Sequence, residues 1–328
     1  MADTTIISST TTRSDNTEQD MELPFHLYIY PSSPTESEAD ANTPTIILLH
    51  GLLSSHLEFA LVTPYLQNYH VILVDLPGHG HSCSFSSAYT IPAMADCIAN
   101  LIPFVSSTST STHNRNRHHN RNYNHGAHDR GGHDNGGQEG GVHIVGSSMG
   151  GFVGLELARR YPSLCKSVFV TGAAPFQGTF KFLAKHPWVV YTFMWLIEKL
   201  PDRIYWWMAK QSGFPHRHEE LRQEMARNRR WKVVKEVYSS ILKSVRWEEI
   251  SQISRVRTLN IAAGKQDDVE ATRKVGKIWR ESGITGNKAV VVKDALHAWD
   301  LQKPELFAEG IKAWVEGREL PEEFETLD

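Results

Sequence analysis

The stretch Val142-His-Ile-Val-Gly-Ser-Ser-Met-Gly-Gly151, continued by Phe152-Val-Gly-Leu-Glu-Leu-Ala-Arg-Arg160, decides the fold that we predict for this chain. Its first part is a short apolar run, its middle is rich in glycine and serine, and its last part has the apolar spacing of an amphipathic helix. This order predicts a buried strand, a tight turn and a helix. Ser148 stands at the apex of the turn, within Gly146-Ser-Ser-Met-Gly150.

A G-x-S-x-G turn between a strand and a helix is the pattern of a nucleophile elbow. The residues that flank the serine must be small because neighbouring backbone crowds any larger side chain. The helix that follows directs its N-terminal dipole and free N–H groups toward charge that develops beside Ser148. The alternative is a Gly/Ser turn in a dinucleotide-binding unit. That turn requires the spacing G-x-G-x-x-G, which Gly146 and Gly150 do not provide.

The composition is that of an ordinary globular protein large enough to bury a core. The chain has 328 residues, 40% of them hydrophobic, and a formal net charge of −3, so nothing indicates a nucleic-acid binder.

We see no apolar core of a secretory signal near the N-terminus, and the longest apolar run, Trp188 to Ile197, is too short to cross a bilayer. Cys83, Cys97 and Cys165 lie far apart, which favours buried thiols in a reducing compartment over a disulfide framework or a zinc site. We therefore expect a cytoplasmic location, with an organellar one left open.

Apolar runs and helical patterns alternate along most of the chain. We predict strands over 22–30, 45–49, 70–75, 142–145, 166–171, 258–263 and 289–292, and helices over 57–69, 91–105, 152–160, 270–281 and 304–317. This alternation predicts an α/β fold with a doubly wound, mostly parallel sheet. The predicted core consists of residues 21–175 and 251–319, between a disordered N-terminus at 1–20 and a C-terminal tail at 320–328.

Two segments interrupt the alternation. Residues 106–141 contain six histidines and almost no apolar side chain, so they cannot offset their ordering entropy, and we predict a disordered insertion there. A metal-binding histidine tract or a partner-recruiting segment is the alternative. The insertion precedes the strand that leads to Ser148, which places it at the N-terminal edge of the sheet, away from the edge where ligands bind.

The second interruption, residues 176–250, lacks strand patterns and is predicted to form a helical cap over the sheet. It holds six of the nine tryptophans, and Arg203–Arg246 contains eleven Lys/Arg against four Asp/Glu. One interpretation is attraction to an anionic substrate or a lipid surface. We favour the other, in which the charges lie on the solvated side of amphipathic helices and the tryptophans form their core.

A serine nucleophile needs a neighbouring base, usually a histidine held by a carboxylate. Asp267 and Asp268 follow the predicted strand that ends at Ala263, and His297 follows the last predicted parallel strand. Because the loops after parallel strands emerge at one edge of a sheet, Ser148, one of the two aspartates and His297 can converge.

With these residues the chain resembles the α/β-hydrolase fold superfamily, in the branch that carries a helical cap. The similarity runs from about Thr45 to Trp314, apart from the insertion and the cap. The matching motifs, in the family's order, are His50-Gly51, Asp75-Leu-Pro-Gly-His-Gly-His-Ser82, Gly146-x-Ser148-x-Gly150, Gly264-x-x-Asp267 and the loop of His297. Serine at the elbow separates the chain from the epoxide hydrolases and haloalkane dehalogenases of this fold, which need an aspartate there. The tryptophan that often follows the His-Gly loop is absent, and Leu57-Glu58-Phe59 stands in that region.

The resemblance implies a role for each matching residue. Ser148 is expected to be the nucleophile, His297 the general base and then acid, and Asp267 the residue that orients His297, with Asp268 as the alternative. The backbone N–H groups of Met149 and Leu52 are expected to form the oxyanion hole. The three motif histidines are expected to shape the fold near the site, although one of them could instead touch substrate: His50, His79 and His81.

These roles predict a serine-dependent hydrolase that cleaves a carboxylic ester or thioester of a largely apolar small molecule through an acyl-enzyme. No metal and no organic cofactor is expected, peripheral contact with a membrane stays open, and the oligomeric state is not indicated. A carbon–carbon bond hydrolase or lyase could use the same triad on a ketone. From another class, a receptor-like protein of this fold would bind a ligand and turn it over slowly or not at all.

Overall fold

A computed structural model describes residues 5–7, 26–30, 43–82, 88–108 and 141–328. The N-terminal segment predicted to be disordered, 1–20, lies outside these residues except for 5–7. Residues 109–140 of the predicted insertion also lie outside them.

One sheet of nine strands organises the described part of the chain. The strands are β1 (Thr5–Ile7), β2 (Leu27–Tyr30), β3 (Thr45–Leu49), β4 (His70–Val74), β5 (Val142–Ser147), β6 (Cys165–Thr171), β7 (Arg257–Ala263), β8 (Lys288–Val292) and β9 (Phe324–Thr326). Their order across the sheet is β1-β2-β4-β3-β5-β6-β7-β8-β9. Strands β3 to β8 pair in parallel, while β1, β2 and β9 pair antiparallel at the two edges. The predicted doubly wound, mostly parallel sheet is confirmed.

Helices cover both faces of this sheet. They are α1 (Ile91–Thr108), α2 (Met149–Arg160), α3 (Gly178–Lys185), α4 (Pro187–Glu198), α5 (Asp202–Gln211), α6 (Glu219–Asn228), α7 (Trp231–Ser244), α8 (Val269–Glu281), α9 (Trp299–Gln302) and α10 (Pro304–Glu316). Helix α1 extends three residues into the segment 106–141. No helix in the described ranges is both long and apolar enough to cross a membrane.

The central strands have continuous apolar sequences because both of their faces are buried. In β3, Ile47 and Leu49 pack into the core on the side of α1, α2 and α8, whereas Ile46 and Leu48 pack into the core on the side of α10. This two-sided burial is why an apolar run without alternation predicted a strand correctly.

The helix predicted over 57–69 is replaced by two short 3-10 helices, His56–Phe59 and Thr63–Tyr65. Pro64 lies in the middle of this segment, where it lacks the N–H that a continuous α-helix would need. Phe59 and Val62 are still fully buried, so the apolar spacing reflects burial and not an α-helix.

Helices α3 to α7 lie between β6 and β7, where the sequence predicts the cap. Helix α7 packs against α1, α2, α3 and α4. The interpretation of the cap tryptophans as core is wrong for four of the six: Trp188, Trp195, Trp207 and Trp231 are between 42% and 64% exposed. Of the other two, Trp206 is buried and Trp247 is partly buried.

The C-terminal segment 320–328 contains β9, which pairs antiparallel with β8. The ring of Phe324 packs against Trp299 of α9, with 5.7 Å between ring centroids. This strand closes the β8 edge of the sheet.

Candidate active site

Ser148 lies in the turn between β5 and α2, with a positive φ of 51°. A non-glycine residue with this backbone conformation is strained, and such strain concentrates at functional sites. A Cβ on Gly146 would lie 2.3 Å from the carbonyl oxygen of Gly150, and one on Gly150 would lie 2.0 Å from that of Leu49. The two glycines of the motif are therefore required by the close approach of the backbone around Ser148.

His297 contacts both Ser148 and Asp267. Its Nε2 lies 3.0 Å from Ser148 Oγ, and its Nδ1 lies 2.5 Å from Asp267 Oδ1. The second carboxylate oxygen of Asp267 accepts a hydrogen bond of 2.8 Å from the amide of Ala263 at the end of β7. The backbone amide of His297 donates to Gln266 Oε1 over 2.8 Å. Asp267 and His297 are thus each held by a hydrogen bond to a neighbouring segment, with the imidazole between the serine and the carboxylate.

The two adjacent aspartates, Asp267 and Asp268, have different hydrogen-bond partners. Asp268 accepts a hydrogen bond of 2.9 Å from the amide of Ala271 and so caps the N-terminus of α8. Its Oδ1 also lies 3.2 Å from Nε2 of Gln177. Asp267 is therefore the aspartate that contacts His297.

The pKa of His297 is set by opposing effects. Desolvation lowers it, but the charge of Asp267, the hydrogen bond to that carboxylate and the charge of Glu58 together raise the pKa of His297 above its ordinary value of 6.5. The imidazolium form is therefore stabilised in place, as a base that takes a proton from Ser148 requires.

The N–H groups of Leu52 and Met149 follow β3 and β5, the strands between which the strand order reverses. Among the described residues, no hydrogen bond uses either of these two amides. Gly51 lies close to the serine: a Cβ on it would be 3.4 Å from Glu58 Oε2 and 3.5 Å from Ser148 Cβ. The two predicted oxyanion donors are thus available near the serine.

Glu58 and Asp300 form a buried acidic pair behind this loop. Glu58 Oε2 accepts a hydrogen bond of 2.9 Å from the amide of Gly51. Burial, and then the charge of Glu58, raise the pKa of Asp300 well above its usual range. Sequence reasoning missed this pair, although a single acid in the apolar segment Leu57-Glu58-Phe59 was a signal.

Asn228 ties α6 to the same loop. Its Nδ2 donates to the carbonyl oxygens of Leu53 and Ser54 at 2.9 Å each, and its Oδ1 accepts from the amide of Gly80 at 3.0 Å. No sequence signal marks this role, because a lone asparagine at the end of a polar helix resembles a solvated residue.

The motif histidines hold the loops and do not line the cavity beside Ser148. His50 is fully buried: its Nδ1 donates to the carbonyl oxygen of Gly51 at 2.8 Å and its Nε2 accepts from the amide of Leu76 at 3.0 Å. Burial lowers the pKa of His50, and it lowers that of His79 to about 3. Both are therefore neutral and structural, as expected, and the side chain of His81 is 57% exposed.

In the described part of the chain, one group offers metal-ligand atoms within 4.8 Å of one another: His56, Asp75 and His81. The oxygens of Asp75 already accept hydrogen bonds from the backbone and Nδ1 of His56, at 2.8 and 2.9 Å, and from the amide of His81 at 3.0 Å. Tyr28 lies 3.4 Å from the same carboxylate. This group therefore braces the Asp75–Ser82 loop.

A cavity of about 160 Å³ opens beside Ser148 and His297. Most of its wall is apolar, and it includes Phe180 and Leu183 from α3 and Tyr238 from α7. A dry cavity of about 150 Å³ holds a molecule such as benzene. The cavity therefore has room for a small group of about that size next to the serine.

Comparison with known proteins relates the chain to one family and one fold. A model of the alpha/beta hydrolase family matches residues 46–310. An AB hydrolase superfamily protein of Gibberella zeae is 24% identical over 298 residues, which cover 86% of this chain and 84% of the relative. A thermophilic esterase from Thermogutta terrifontis is 19% identical with a TM-score of 0.58, over 96% of this chain and 99% of that one. MenH from S. aureus is 15% identical with a TM-score of 0.60, over 89% of this chain and 98% of that one.

Proposed function

The chain belongs to the alpha/beta hydrolase family, and we propose that it cleaves a carboxylic ester or thioester with Ser148 as the nucleophile. One observation carries the proposal: three residues from three separate loops form an unbroken series of hydrogen bonds from Ser148 through His297 to Asp267. Nucleophile, base and orienting carboxylate in this geometry are the parts that acyl transfer requires.

In the proposed reaction, Ser148 Oγ attacks the acyl carbon while His297 Nε2 takes the hydroxyl proton. The carbonyl oxygen becomes an oxyanion that accepts hydrogen bonds from the N–H groups of Leu52 and Met149, and Asp267 stabilises the imidazolium. When the intermediate collapses, the bond to the leaving alcohol or thiol breaks and His297 returns the proton to it. A water that gives a proton to His297 then attacks the acyl carbon, the bond from that carbon to Ser148 Oγ breaks, His297 returns the proton to Oγ, and the acid leaves.

The cavity suggests which part of the substrate binds next to the serine. About 160 Å³ with an apolar wall suits a short acyl chain or a single aromatic ring. A longer chain would have to continue past Phe180, which lines the cavity and is itself 39% exposed. We assign α3 to α7 the role of a cap on this basis, since α3 and α7 supply much of the apolar wall.

The test is multiple-turnover hydrolysis of p-nitrophenyl esters and matching thioesters whose acyl chains increase in length. We expect repeated release of acid, the highest kcat/KM for short acyl groups, and a loss on the order of 10⁴-fold or more in Ser148→Ala. Tight binding with at most one turnover per molecule would instead assign the chain to the ligand-binding class. Cleavage of a ketone substrate but not of any ester would assign it to the carbon–carbon hydrolases.

A further inference from the structure

The outer side of α4 carries apolar side chains where a surface helix normally carries polar ones. Its sequence, Pro-Trp-Val-Val-Tyr-Thr-Phe-Met-Trp-Leu-Ile-Glu, has no charge before its last residue. Val190 faces inward and is buried, and α4 packs against α7. Four large side chains on the other side are 43% to 58% exposed: Trp188, Phe193, Trp195 and Leu196. A helix that is apolar on all sides is normally enclosed, and the described residues leave one side of α4 open.

The neighbouring helices enlarge this surface. Helix α3 adds Phe182, which is 56% exposed, and α5 adds Ile204 and Trp207, which are 46% and 64% exposed. We call these seven side chains of α3, α4 and α5 the cap face. Single exposed apolar residues are common on proteins, but seven large ones within residues 182–207 indicate an interaction surface.

The charges without an ion-pair partner in the segment that carries the cap face are positive. Five exposed cations lie in α3, α5 and the segments beside them, and none has a carboxylate partner within 4.0 Å among the described residues: Lys181, Lys185, Lys199, Arg203 and Lys210. The two acids in the same stretch are paired with other helices, Asp202 with Arg222 and Glu198 with Arg229. The cap face therefore combines bulky aromatic side chains with uncompensated cations.

We propose that the cap face binds the surface of an anionic lipid bilayer. Tryptophan and phenylalanine side chains would enter the boundary between head groups and acyl chains, and the surrounding lysine and arginine side chains would contact lipid phosphates. A second copy of this chain fits less well, because a two-fold contact would bring the same cations against each other.

Helix α3 contributes to both the cavity and the cap face, which relates membrane binding to the proposed hydrolysis. Phe180 lines the cavity and is also partly exposed on α3, two residues before Phe182 of the cap face. Side chains two residues apart on a helix point to roughly opposite sides, so a bilayer bound at the cap face would lie across α3 from the cavity, one helix diameter (~10 Å) away, and an apolar ester would pass around α3 to reach the cavity. This delivery rests on the function proposed above, whereas the binding itself does not.

The test is flotation of the full-length protein with vesicles of phosphatidylcholine, with and without phosphatidylserine. We expect binding that requires phosphatidylserine and weakens with salt. The triple variant Lys185→Gln, Lys199→Gln and Arg203→Gln should lose about fivefold in partitioning for each cation, on the order of 10²-fold in all. The triple variant Trp188→Gln, Trp195→Gln and Trp207→Gln should lose binding to the vesicles that contain phosphatidylserine.

Matched controls come from outside the cap. Tyr65→Gln and Phe104→Gln also remove exposed aromatic rings, which are 40% and 45% exposed in the wild type, and they should bind vesicles as the wild type does. Ser148→Ala should bind equally well, so failure of catalysis and failure of binding are distinguishable. Absence of vesicle binding by folded wild type would overturn the proposal. A dimer in sedimentation that the tryptophan variant abolishes, without vesicle binding, would assign the cap face to self-association instead.

Discussion

Replacing Gly172 by alanine tests whether the placement of His297 sets the rate. Gly172 follows β6 with a φ of +64°, and a Cβ on it would lie 2.8 Å from His297 Cε1 and 3.2 Å from His297 Nδ1. An ordinary contact between two carbon atoms is about 3.5 Å. The imidazole must therefore move by about 0.7 Å, and it cannot do so while it keeps both of its hydrogen bonds, to Ser148 Oγ and to Asp267 Oδ1.

The expected loss of rate follows from this displacement. A misplacement of about 1 Å of a catalytic group costs on the order of 10²-fold in rate. The left-handed backbone conformation of alanine adds about 1–2 kcal/mol of strain to the folded state. We therefore expect Gly172→Ala to be folded, somewhat less stable, and lower in kcat/KM on the order of 10²-fold.

Gly283→Ala is the matched control, because Gly283 has a similar φ of +73° and a Cβ added there would meet no atom within 4 Å. It should lose the same stability and keep its activity. Ester hydrolysis and urea unfolding are measured for both variants. If folded Gly172→Ala hydrolyses esters as fast as Gly283→Ala does, the position of His297 does not limit the rate and the reasoning fails.

Three further variants test the site and its supports. Asp267→Asn should lower kcat on the order of 10⁴-fold and move the acid limb of the pH–rate profile to lower pH, because the charge that raises the pKa of His297 is gone; an unmoved limb would contradict this. Asn228→Ala should cost about 1–3 kcal/mol in the free energy of unfolding, since it leaves buried carbonyl oxygens without donors. The exposed Gln223→Ala should cost less than about 0.5 kcal/mol, and equal costs would refute the bracing role of Asn228. Because the folded-state pKa of His79 is lowered to about 3 and the unfolded value is about 6.5, its neutral form contributes stability above pH 6.5 that is lost as pH falls toward 3. On account of His79, the free energy of unfolding should be about 1.4 kcal/mol lower at about pH 5.5 than at about pH 7.5. His79→Gln should reduce the difference between the two pH values by this amount, and a variant that shows the same difference as the wild type would contradict the reasoning.

The sheet could be predicted from sequence because its signals are local. Strands β3 and β5 are buried on both faces, so their residues are mostly apolar, and the glycines around Ser148 are fixed by close backbone contacts at the turn. The predicted helix over 57–69 failed because burial of Phe59 and Val62 imitates helical spacing, while Pro64 prevents the helix.

The rest of the site depends on contacts between distant segments. The residues alone left Asp267 and Asp268 open, and only the resemblance to the family's Gly-x-x-Asp spacing favoured Asp267, since the choice depends on which carboxylate caps α8 and which contacts His297. Nothing near Asn228 in the sequence shows that it reaches Leu53 and Ser54. The tryptophans of the cap were assigned to its core because apolar character alone does not distinguish a buried side chain from an exposed one.

The central claim, an activated serine at position 148, is tested most directly by labelling with a fluorophosphonate probe and mass spectrometry of the intact protein. We predict one adduct on wild type, mapped to Ser148, with none on Ser148→Ala or His297→Ala and slower labelling of Asp267→Asn. The neighbouring variant Ser147→Ala should label as the wild type does. Folded wild type that does not react, or Ser148→Ala that still does, would contradict the claim.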